Sequence, residues 1–379
     1  MSKHWVAAWG ASPNSAAVLS PCMYAKDMTL RYILRTGIAG DAVRLRFSNM
    51  AGKEAVFISK ITVMRSDGSD CCPVLFGGKP ELEMDAGGSA ISNSVEFAAE
   101  PGDDILVSMY LDRMTYMGTG VKCIGPLSRA WFAEGDWCEQ AELSVMHSMA
   151  MQEFYFLTEL DVLTNATSKA LVAFGDSITA QSWPDHLVLR LQNEGNHNLS
   201  VVRRGIGGSR IFGQYENLEH RRYGRKGFDR FAEEISADGA DRVIVLHGIN
   251  DLLHPGSGHP CRPISDLPDA EKLIDGLRTY IKMAHDKGLK IYLATITPFG
   301  GWKSWTPERE MIRQKANDWI RTTDEHDGFI DSAAALEDPE CRSRMRPECD
   351  SGDHVHPSLL GANAIAECIP RKFLYDERA

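Results

Sequence analysis

The chain has 379 residues, of which 43% are hydrophobic and 25% charged, as expected for a soluble globular protein with more than one domain. Its 41 basic and 52 acidic residues give a net charge of −11, which argues against nucleic acid as the main partner because phosphate binding needs basic patches. No apolar run approaches the ~18 residues needed to cross a bilayer, so no membrane partner is predicted.

The cysteine pattern and the N-terminus indicate a reducing compartment. The nine cysteines include no CxxC pair and no zinc-ligand spacing, so no zinc site is predicted. The first ten residues lack the apolar core of about 7–15 residues that is typical of a signal peptide. We therefore expect a cytoplasmic protein with free thiols, or a secreted one if a leader has been removed.

The N-terminal part, residues 1–165, is predicted to be an antiparallel β-sandwich of jelly-roll-like type. Strand patterns occupy 42–48, 55–64 and 105–111, and turns rich in Gly, Asp and Asn follow or precede them. No long helical period is present. The aromatic residues of this part could line a sugar-binding face, but packing is the favoured interpretation; they are Trp5, Trp9, Trp131, Phe132 and Trp137.

After a short polar segment at 163–168, strands and helices alternate, which predicts an α/β domain over residues 166–379. Such alternation gives a parallel sheet covered by helices on both faces. The predicted strands are 170–174, 199–203, 242–247, 289–296 and 328–331. The predicted helices are 184–194, 227–237, 268–287, 307–325 and 358–374.

A polar turn, Gly175-Asp-Ser-Ile-Thr179, follows the first strand of this domain. Because ligands bind at the carboxyl ends of the strands in open α/β sheets, Ser177 could be a nucleophile there. By itself the turn is more typical of a helix cap, and Asp176 is expected to brace the loop.

A glycine-rich turn, Arg204-Gly-Ile-Gly-Gly-Ser-Arg210, follows the second strand. It nearly matches the dinucleotide motif GxGxxG, but Arg210 replaces the third glycine and the strand is not the first, so nucleotide binding is rejected. The turn could offer a bare N–H to an anion. A tight turn without a ligand is an equally good interpretation.

Two further polar clusters follow later elements. Gly248-Ile-Asn-Asp251 comes after the third strand and supplies the Asn250 amide, a group that can stabilise an oxyanion. Asp251 is expected to hold loops through backbone hydrogen bonds. Near the C-terminus, Asp353-His-Val-His356 places a carboxylate within reach of an imidazole three residues away, so that His356 could act as a base oriented by Asp353.

Together the four clusters supply a nucleophile, oxyanion donors, and a base with its orienting carboxylate, which are the components of acyl transfer. This combination resembles the SGNH (GDSL-type) hydrolase superfamily over residues 169–379. The resemblance implies a three-layer α/β/α fold of flavodoxin-like type without metal or cofactor. It also implies a Ser177, His356 and Asp353 triad, with an oxyanion hole formed by the Ser177 N–H, the Gly208 N–H and the Asn250 side chain.

The chain departs from that superfamily at Val202-Arg-Arg-Gly205, where many members carry Asn before the glycines. The N-terminal part looks similar to the β-rich module that precedes the hydrolase domain in some bacterial GDSL-like lipases and acylhydrolases, and carbohydrate esterases of the superfamily can carry an N-terminal jelly roll. An α/β-hydrolase is disfavoured because the chain has no GxSxG motif.

The predicted function is a serine esterase that cleaves a small acyl ester, most plausibly an acetyl group on a carbohydrate. Two alternatives stay open: an acyltransferase to a sugar or alcohol acceptor, and a catalytically idle carbohydrate-binding or scaffold protein. The expected partner is therefore a small-molecule or carbohydrate acyl ester. The sequence specifies neither the oligomeric state nor the acyl length.

Overall fold

A computed structural model describes residues 2–16, 24–144, 146, 148–217, 221–258 and 261–375. Cys22 lies outside the described residues, and the other eight cysteines are free thiols. No helix within these ranges is long and apolar enough to span a membrane.

The N-terminal part is built from two antiparallel sheets and shorter strand pairs. The strands are β1 (Lys3–Gly10), β2 (Tyr24–Ala25), β3 (Met28–Arg35), β4 (Gly40–Ser48), β5 (Val56–Ile58), β6 (Lys60–Arg65), β7 (Cys72–Pro73), β8 (Leu82–Met84), β9 (Ser89–Ile91), β10 (Val95–Ala99), β11 (Asp104–Leu111), β12 (Thr115–Tyr116), β13 (Gly120–Lys122), β14 (Arg129–Glu134), β15 (Ser148–Met151), β16 (Glu153–Tyr155) and β17 (Leu157–Asn165). One main sheet has the order β1-β17-β4-β10, with β9 also against β4, and the other has the order β15-β14-β3-β11-β6-β7.

Strand β4 shows why these segments form a sheet. Its apolar side chains at 43, 45 and 47 are buried, whereas Arg44 and Arg46 between them stay partly exposed. Successive side chains of a strand point to opposite faces, so this alternation buries one face and leaves the other to polar groups.

The C-terminal part contains a five-stranded sheet, formed by β18 (Lys169–Gly175), β19 (Leu199–Gly205), β20 (Ala240–Leu246), β21 (Lys290–Ala294) and β22 (Gly328–Ile330), and a later hairpin of β23 (Glu337–Asp338) and β24 (Cys341–Met345). The order in the five-stranded sheet is β19-β18-β20-β21-β22, and β20, β21 and β22 pair in parallel. Its helices are α1 (Ser177–Ala180), α2 (Trp183–Asn193), α3 (Gly227–Glu234), α4 (Ile249–Leu253), α5 (Ala270–Asp286), α6 (Pro307–Thr322), α7 (Ser332–Leu336) and α8 (Leu359–Glu367).

The predicted fold class is confirmed: an α/β domain with a parallel sheet follows a part made of antiparallel sheets. By contacts the chain divides into two compact units, one of 1–170, 191–202 and 237–239, the other of 171–190, 203–236 and 240–379. Two segments that we assigned to the C-terminal domain, 191–202 and 237–239, thus group with the N-terminal unit. The domain boundary at residue 165 stays a prediction.

Two predicted elements are wrong in their extent. The strand expected at 55–64 is interrupted at Ser59, because β5 pairs with β8 while β6 pairs with β11 in a different sheet. The helix expected at 358–374 stops at Glu367, and a short 3₁₀ turn follows at 371–373. Pro370 lies between them, has no N–H to donate and disfavours the helical conformation of the residue before it.

Several of the N-terminal aromatic residues make packing contacts. The Arg44 guanidinium lies 4.3 Å from the ring centre of Trp5. The rings of Trp9 and Phe154 are 5.4 Å apart, and those of Phe132 and Tyr155 are 5.9 Å apart. These contacts occupy at least part of the ring surfaces that a sugar would need.

Candidate active site

The predicted nucleophile lies where β18 gives way to α1. Residues 170–175 of β18 are buried, as the apolar run requires, and Asp176 then caps the short helix by accepting the Ile178 N–H at 3.0 Å. Ser177 is the first helical residue and is only partly buried. Its N–H therefore belongs to the first turn, where backbone donors have no partner within the helix.

The glycine at 205 lets the second strand approach this turn. A Cβ atom added to Gly205 would lie 2.3 Å from the Ala180 nitrogen, which is far closer than real Cβ contacts. Glycine here allows the end of β19 to pack directly on α1. The loop after β19 consequently starts next to Ser177, with Gly207 3.8 Å from the Ser177 Cβ by the same measure.

His356 connects Ser177 to Asp353. The distance from His356 Nε2 to Ser177 Oγ is 2.8 Å, and that from His356 Nδ1 to Asp353 Oδ2 is 2.5 Å. A carboxylate only accepts hydrogen bonds, so Nδ1 carries the ring hydrogen and Nε2 is left to accept the serine hydroxyl. The three side chains thus form one chain of hydrogen bonds.

The surroundings of Asp353 favour its charged form. Partial burial works to raise its pKa, but the hydrogen bond from the His356 ring and those from the N–H groups of His356 and Val355 outweigh burial, and the pKa lies below its ordinary value. The two N–H groups donate to Asp353 Oδ1 at 2.8 and 2.9 Å. The carboxylate is therefore both fixed in position and negative at neutral pH.

A second histidine–aspartate pair stabilises the same loop. His354 has a left-handed backbone with φ of 66°, and its Nδ1 lies 2.7 Å from Asp350 Oδ2. Asp350 Oδ1 also accepts the N–H groups of Gly352 and His354 at 2.8 and 3.0 Å. His354 is thus engaged away from Ser177, and Asp350 helps hold the unusual turn from which Asp353 and His356 project.

The predicted oxyanion donors lie in three different elements. Gly208 has a φ of 80°, a backbone conformation that favours glycine, and no described residue accepts a hydrogen bond from its N–H. Asn250 lies in α4, and its Nδ2 donates to the Ser209 carbonyl oxygen at 3.0 Å. This bond ties α4 to the loop of Gly208 and leaves the second amide hydrogen of Asn250 for a ligand.

The two supporting carboxylates contact backbone rather than the triad. Asp251 accepts the Ile211 and Phe212 N–H groups at 2.8 and 3.3 Å. Burial raises the pKa of Asp251 to about 6 and that of Asp176 to about 7. Two loops of the site thus depend on carboxyl groups that are buried and easily protonated.

Sequence reasoning missed a set of buried residues centred on Ser209. The Ser209 carbonyl oxygen accepts both the Asn250 amide and the ring of His247, whose Nε2 lies 3.1 Å away. Burial, followed by the charge of Arg230, lowers the pKa of His247 well below its ordinary value, so the ring is neutral. Its Nδ1 lies 3.0 Å from the hydroxyl of Tyr280 and can accept that hydrogen.

Arg230 is the second missed residue. Its buried guanidinium donates to the carbonyl oxygens of Gly175 and Arg204 at 2.7 and 3.3 Å and to Ser209 Oγ at 3.1 Å. It also pairs with Glu234 one helical turn later in α3 at 2.5 Å. One side chain therefore joins the ends of β18 and β19 to the loop of Gly208. An arginine at the start of an ordinary helix carries no local signal of this role.

Among the described residues, no group of three or more His, Cys, Asp and Glu side chains is arranged to hold a metal ion.

Comparison with known proteins shows the family of this chain. A model described as the GDSL-like Lipase/Acylhydrolase family matches residues 173–364, just over half of the chain and a range that contains every predicted site residue. No curated protein sequence matches the chain.

Solved structures similar to the chain include a GDSL-like lipase from Bacteroides thetaiotaomicron VPI-5482, with 16% identity over 54% of this chain and 88% of that chain and a TM-score of 0.38. They also include an acetylxylan esterase from Geobacillus stearothermophilus, with 20% identity over 56% of this chain and 98% of that chain and a TM-score of 0.41.

Proposed function

This chain belongs to the GDSL-like lipase/acylhydrolase family and is a hydrolase acting on ester bonds, and we propose that it works as a serine esterase with Ser177 as nucleophile, His356 as base and Asp353 as orienting carboxylate. The observation that carries this assignment is the continuous hydrogen-bond chain from Asp353 through His356 to Ser177, with distances of 2.5 and 2.8 Å.

In the acylation step, Ser177 Oγ attacks the ester carbonyl carbon while His356 Nε2 takes the hydroxyl proton. Asp353 stabilises the imidazolium that forms, because its carboxylate already accepts the Nδ1 hydrogen. Negative charge develops on the former carbonyl oxygen. The N–H groups of Ser177 and Gly208 and the free amide hydrogen of Asn250 are the donors proposed to hold it.

The tetrahedral intermediate then collapses. The alcohol leaves with the proton from His356, and the acyl group remains on Ser177 Oγ. Water attacks this acyl-enzyme with His356 again as base, the acid is released and the serine hydroxyl is restored. Over the two steps the serine proton is transferred to the leaving alcohol and restored from water, and the acyl group leaves as the acid. The proposed steps use no cofactor.

For the substrate we propose a short acyl ester, an acetyl group on a carbohydrate. The resemblance of the C-terminal part to the SGNH hydrolase superfamily, and of the N-terminal part to the β-rich modules that precede such domains, supports this class. A panel of acetylated oligosaccharides against esters of longer acyl chains tests it. Faster turnover of long-chain lipid esters would contradict the acetyl assignment.

The assignment of the nucleophile is tested by the variant Ser177→Ala. We expect kcat/KM for 4-nitrophenyl acetate to fall by about 10⁴-fold or more, since the triad acts as a unit. A fluorophosphonate should label the parent protein but not this variant. Ser236→Ala, at an exposed serine just after α3, is the matched control and should keep both properties. Retained turnover in Ser177→Ala would refute the mechanism.

A further inference from the structure

An aromatic–cationic cluster, formed by Tyr215, Tyr223, His254 and Arg262, lies beside the loop of Gly208. The Tyr215 hydroxyl is 3.0 Å from His254 Nδ1, and the Tyr223 ring stacks on the His254 ring with centres 5.2 Å apart. The Arg262 guanidinium lies 5.8 Å from the ring centre of Tyr215 and 5.6 Å from that of Tyr223. Tyr215 and His254 are buried, whereas Tyr223 and Arg262 are partly exposed, so a ligand could reach the latter two.

The cluster adjoins the proposed reaction centre through Tyr223. A Cβ atom added to Gly208 would lie 2.2 Å from the Tyr223 ring, so this ring packs directly on the glycine. Gly207, the preceding residue, faces the Cβ of Ser177 at 3.8 Å by the same measure. A substrate whose carbonyl oxygen is held at Gly208 therefore has Tyr223 next to it and Arg262 beyond.

No carboxylate among the described residues pairs with Arg262. Within the described part of the chain, its terminal nitrogens donate to two neutral hydroxyls, those of Ser257 at 3.2 Å and Tyr223 at 3.4 Å. By contrast Arg210 pairs with Asp266 at 3.2 Å, and Arg225 pairs with Glu233 at 2.7 Å. In a chain with eleven more acidic than basic residues, a partly exposed and uncompensated guanidinium is available to an anion.

We propose that Arg262 and the Tyr223 hydroxyl form a subsite for a carboxylate carried by the ester substrate. A guanidinium presents paired N–H donors that match the two oxygens of a carboxylate, and the partly buried setting strengthens the bond relative to water. This deepens the proposed function and rests on it: the substrate is an ester with a negative charge close to the scissile bond. The carboxylate belongs either to the alcohol, as in an acetylated uronic acid, or to the acyl group, as in a half ester of a dicarboxylic acid.

Two pairs of substrates distinguish these sources. Acetylated methyl glucuronoside is compared with acetylated methyl glucoside, and monomethyl succinate with methyl butyrate, by following acid release. We expect kcat/KM to favour the charged member of one pair by about 10-fold or more, the size of one charge-assisted hydrogen bond. The pair that shows the preference identifies which part of the ester carries the carboxylate.

The variant Arg262→Gln should lower that preference by about 10-fold, chiefly through KM, and added salt should lower it in the parent protein. Arg225→Gln removes the same charge from an arginine that already has a carboxylate partner, and it should leave the preference unchanged. No preference in either pair, or a preference that survives Arg262→Gln, overturns the subsite.

A binding experiment tests the carboxylate subsite independently of the proposed esterase activity. Calorimetry with the Ser177→Ala variant compares methyl glucuronoside with methyl glucoside, and succinate with butyrate. Binding of a charged member that disappears in Ser177→Ala/Arg262→Gln supports the subsite even if no ester is turned over. Absence of turnover together with unlabelled Ser177 refutes the esterase mechanism, whereas absence of charged-ligand binding refutes the subsite alone.

Discussion

Asn250 donates one amide hydrogen to the Ser209 carbonyl oxygen and has no second acceptor among the described residues. Its remaining hydrogen is proposed to bind the oxyanion, which exists only after Ser177 has attacked. A donor used at that stage affects kcat more than KM, because it stabilises the transition state rather than the bound ester.

For Asn250→Ala we expect kcat for 4-nitrophenyl acetate to fall about 10²–10³-fold with little change in KM. Steady-state kinetics gives both constants, and circular dichroism establishes that the variant is folded. A loss confined to KM would show that Asn250 binds the ester in its ground state, contrary to the proposed role.

Asp176 makes stability depend on pH in a direction unusual for a carboxyl group. Burial raises its pKa from the ordinary 3.8 to about 7, so between these values the native protein holds a proton that the unfolded chain has released. Its contribution to stability is therefore fully present below about pH 4 and is lost as pH rises through 7.

Asp176→Asn removes this titration while keeping an oxygen that can accept the Ile178 N–H. The free energy of unfolding of the parent protein should fall more steeply between pH 5 and pH 8 than that of the variant. Urea denaturation at several pH values measures both slopes. Equal slopes would mean that Asp176 is already ionised in the folded protein.

At the scale of elements, helix α3 contacts the loop of Gly208 through Arg230. Arg230 projects from this helix into the core and donates to the ends of β18 and β19 and to Ser209. The chain has Arg204 where many members of the superfamily have Asn before these glycines. The hydrogen bonds from Arg230 hold this loop from a helix that lies outside the loop.

Replacing Arg230 separates its structural role from its positioning role. Arg230→Met should cost about 3–5 kcal/mol of stability because it breaks the buried ion pair between Arg230 and Glu234. The double variant Arg230→Met/Glu234→Leu should regain much of that stability, as buried ion pairs can be replaced by apolar residues. Denaturant unfolding measures both changes.

Activity should not recover with stability. Without the bonds to Gly175 and Ser209, the loop shifts, and a displacement of about 1 Å can cost about 10²-fold in kcat. Both variants should therefore show this loss. Full activity in the stable double variant would assign Arg230 to folding alone.

At the scale of the whole molecule, the two compact units do not follow the order of the chain. Segments 191–202 and 237–239 group with the N-terminal unit, where the Ser200 hydroxyl donates to the Ala7 carbonyl oxygen at 2.5 Å and the Ala7 N–H donates to the Asp238 carbonyl oxygen at 2.8 Å. These bonds make the N-terminal residues part of the support for later segments.

Deletion of residues 1–165 should therefore yield an insoluble or unfolded protein. The deletion removes the partners of residues 199–202, which are buried in the full chain, and exposes apolar side chains at 199 and 201. The soluble fraction and the circular dichroism spectrum measure the outcome. A soluble fragment with full esterase activity would contradict this expectation and would make the N-terminal part a separate module.

The fold class and the ends of several strands could be predicted from sequence, because they depend on the local pattern of apolar and turn-forming residues. Alternation at 42–48 and the apolar run at 170–174 each specify how a strand is buried, and Gly, Asp and Asn after an apolar run mark where it ends. The candidate residues were found because parallel strands bring their carboxyl ends to one edge of a sheet.

The tertiary structure decided everything that depends on distant contacts. His356 and Ser177 are 179 positions apart, and only the folded chain brings Nε2 within 2.8 Å of Oγ. Arg230 and Arg262 carry no local signal, since an arginine's role follows from which groups surround its guanidinium. Sequence by itself determined the types of residue and the elements that carry them, whereas packing decided which side chains meet, because local periodicity constrains only near neighbours.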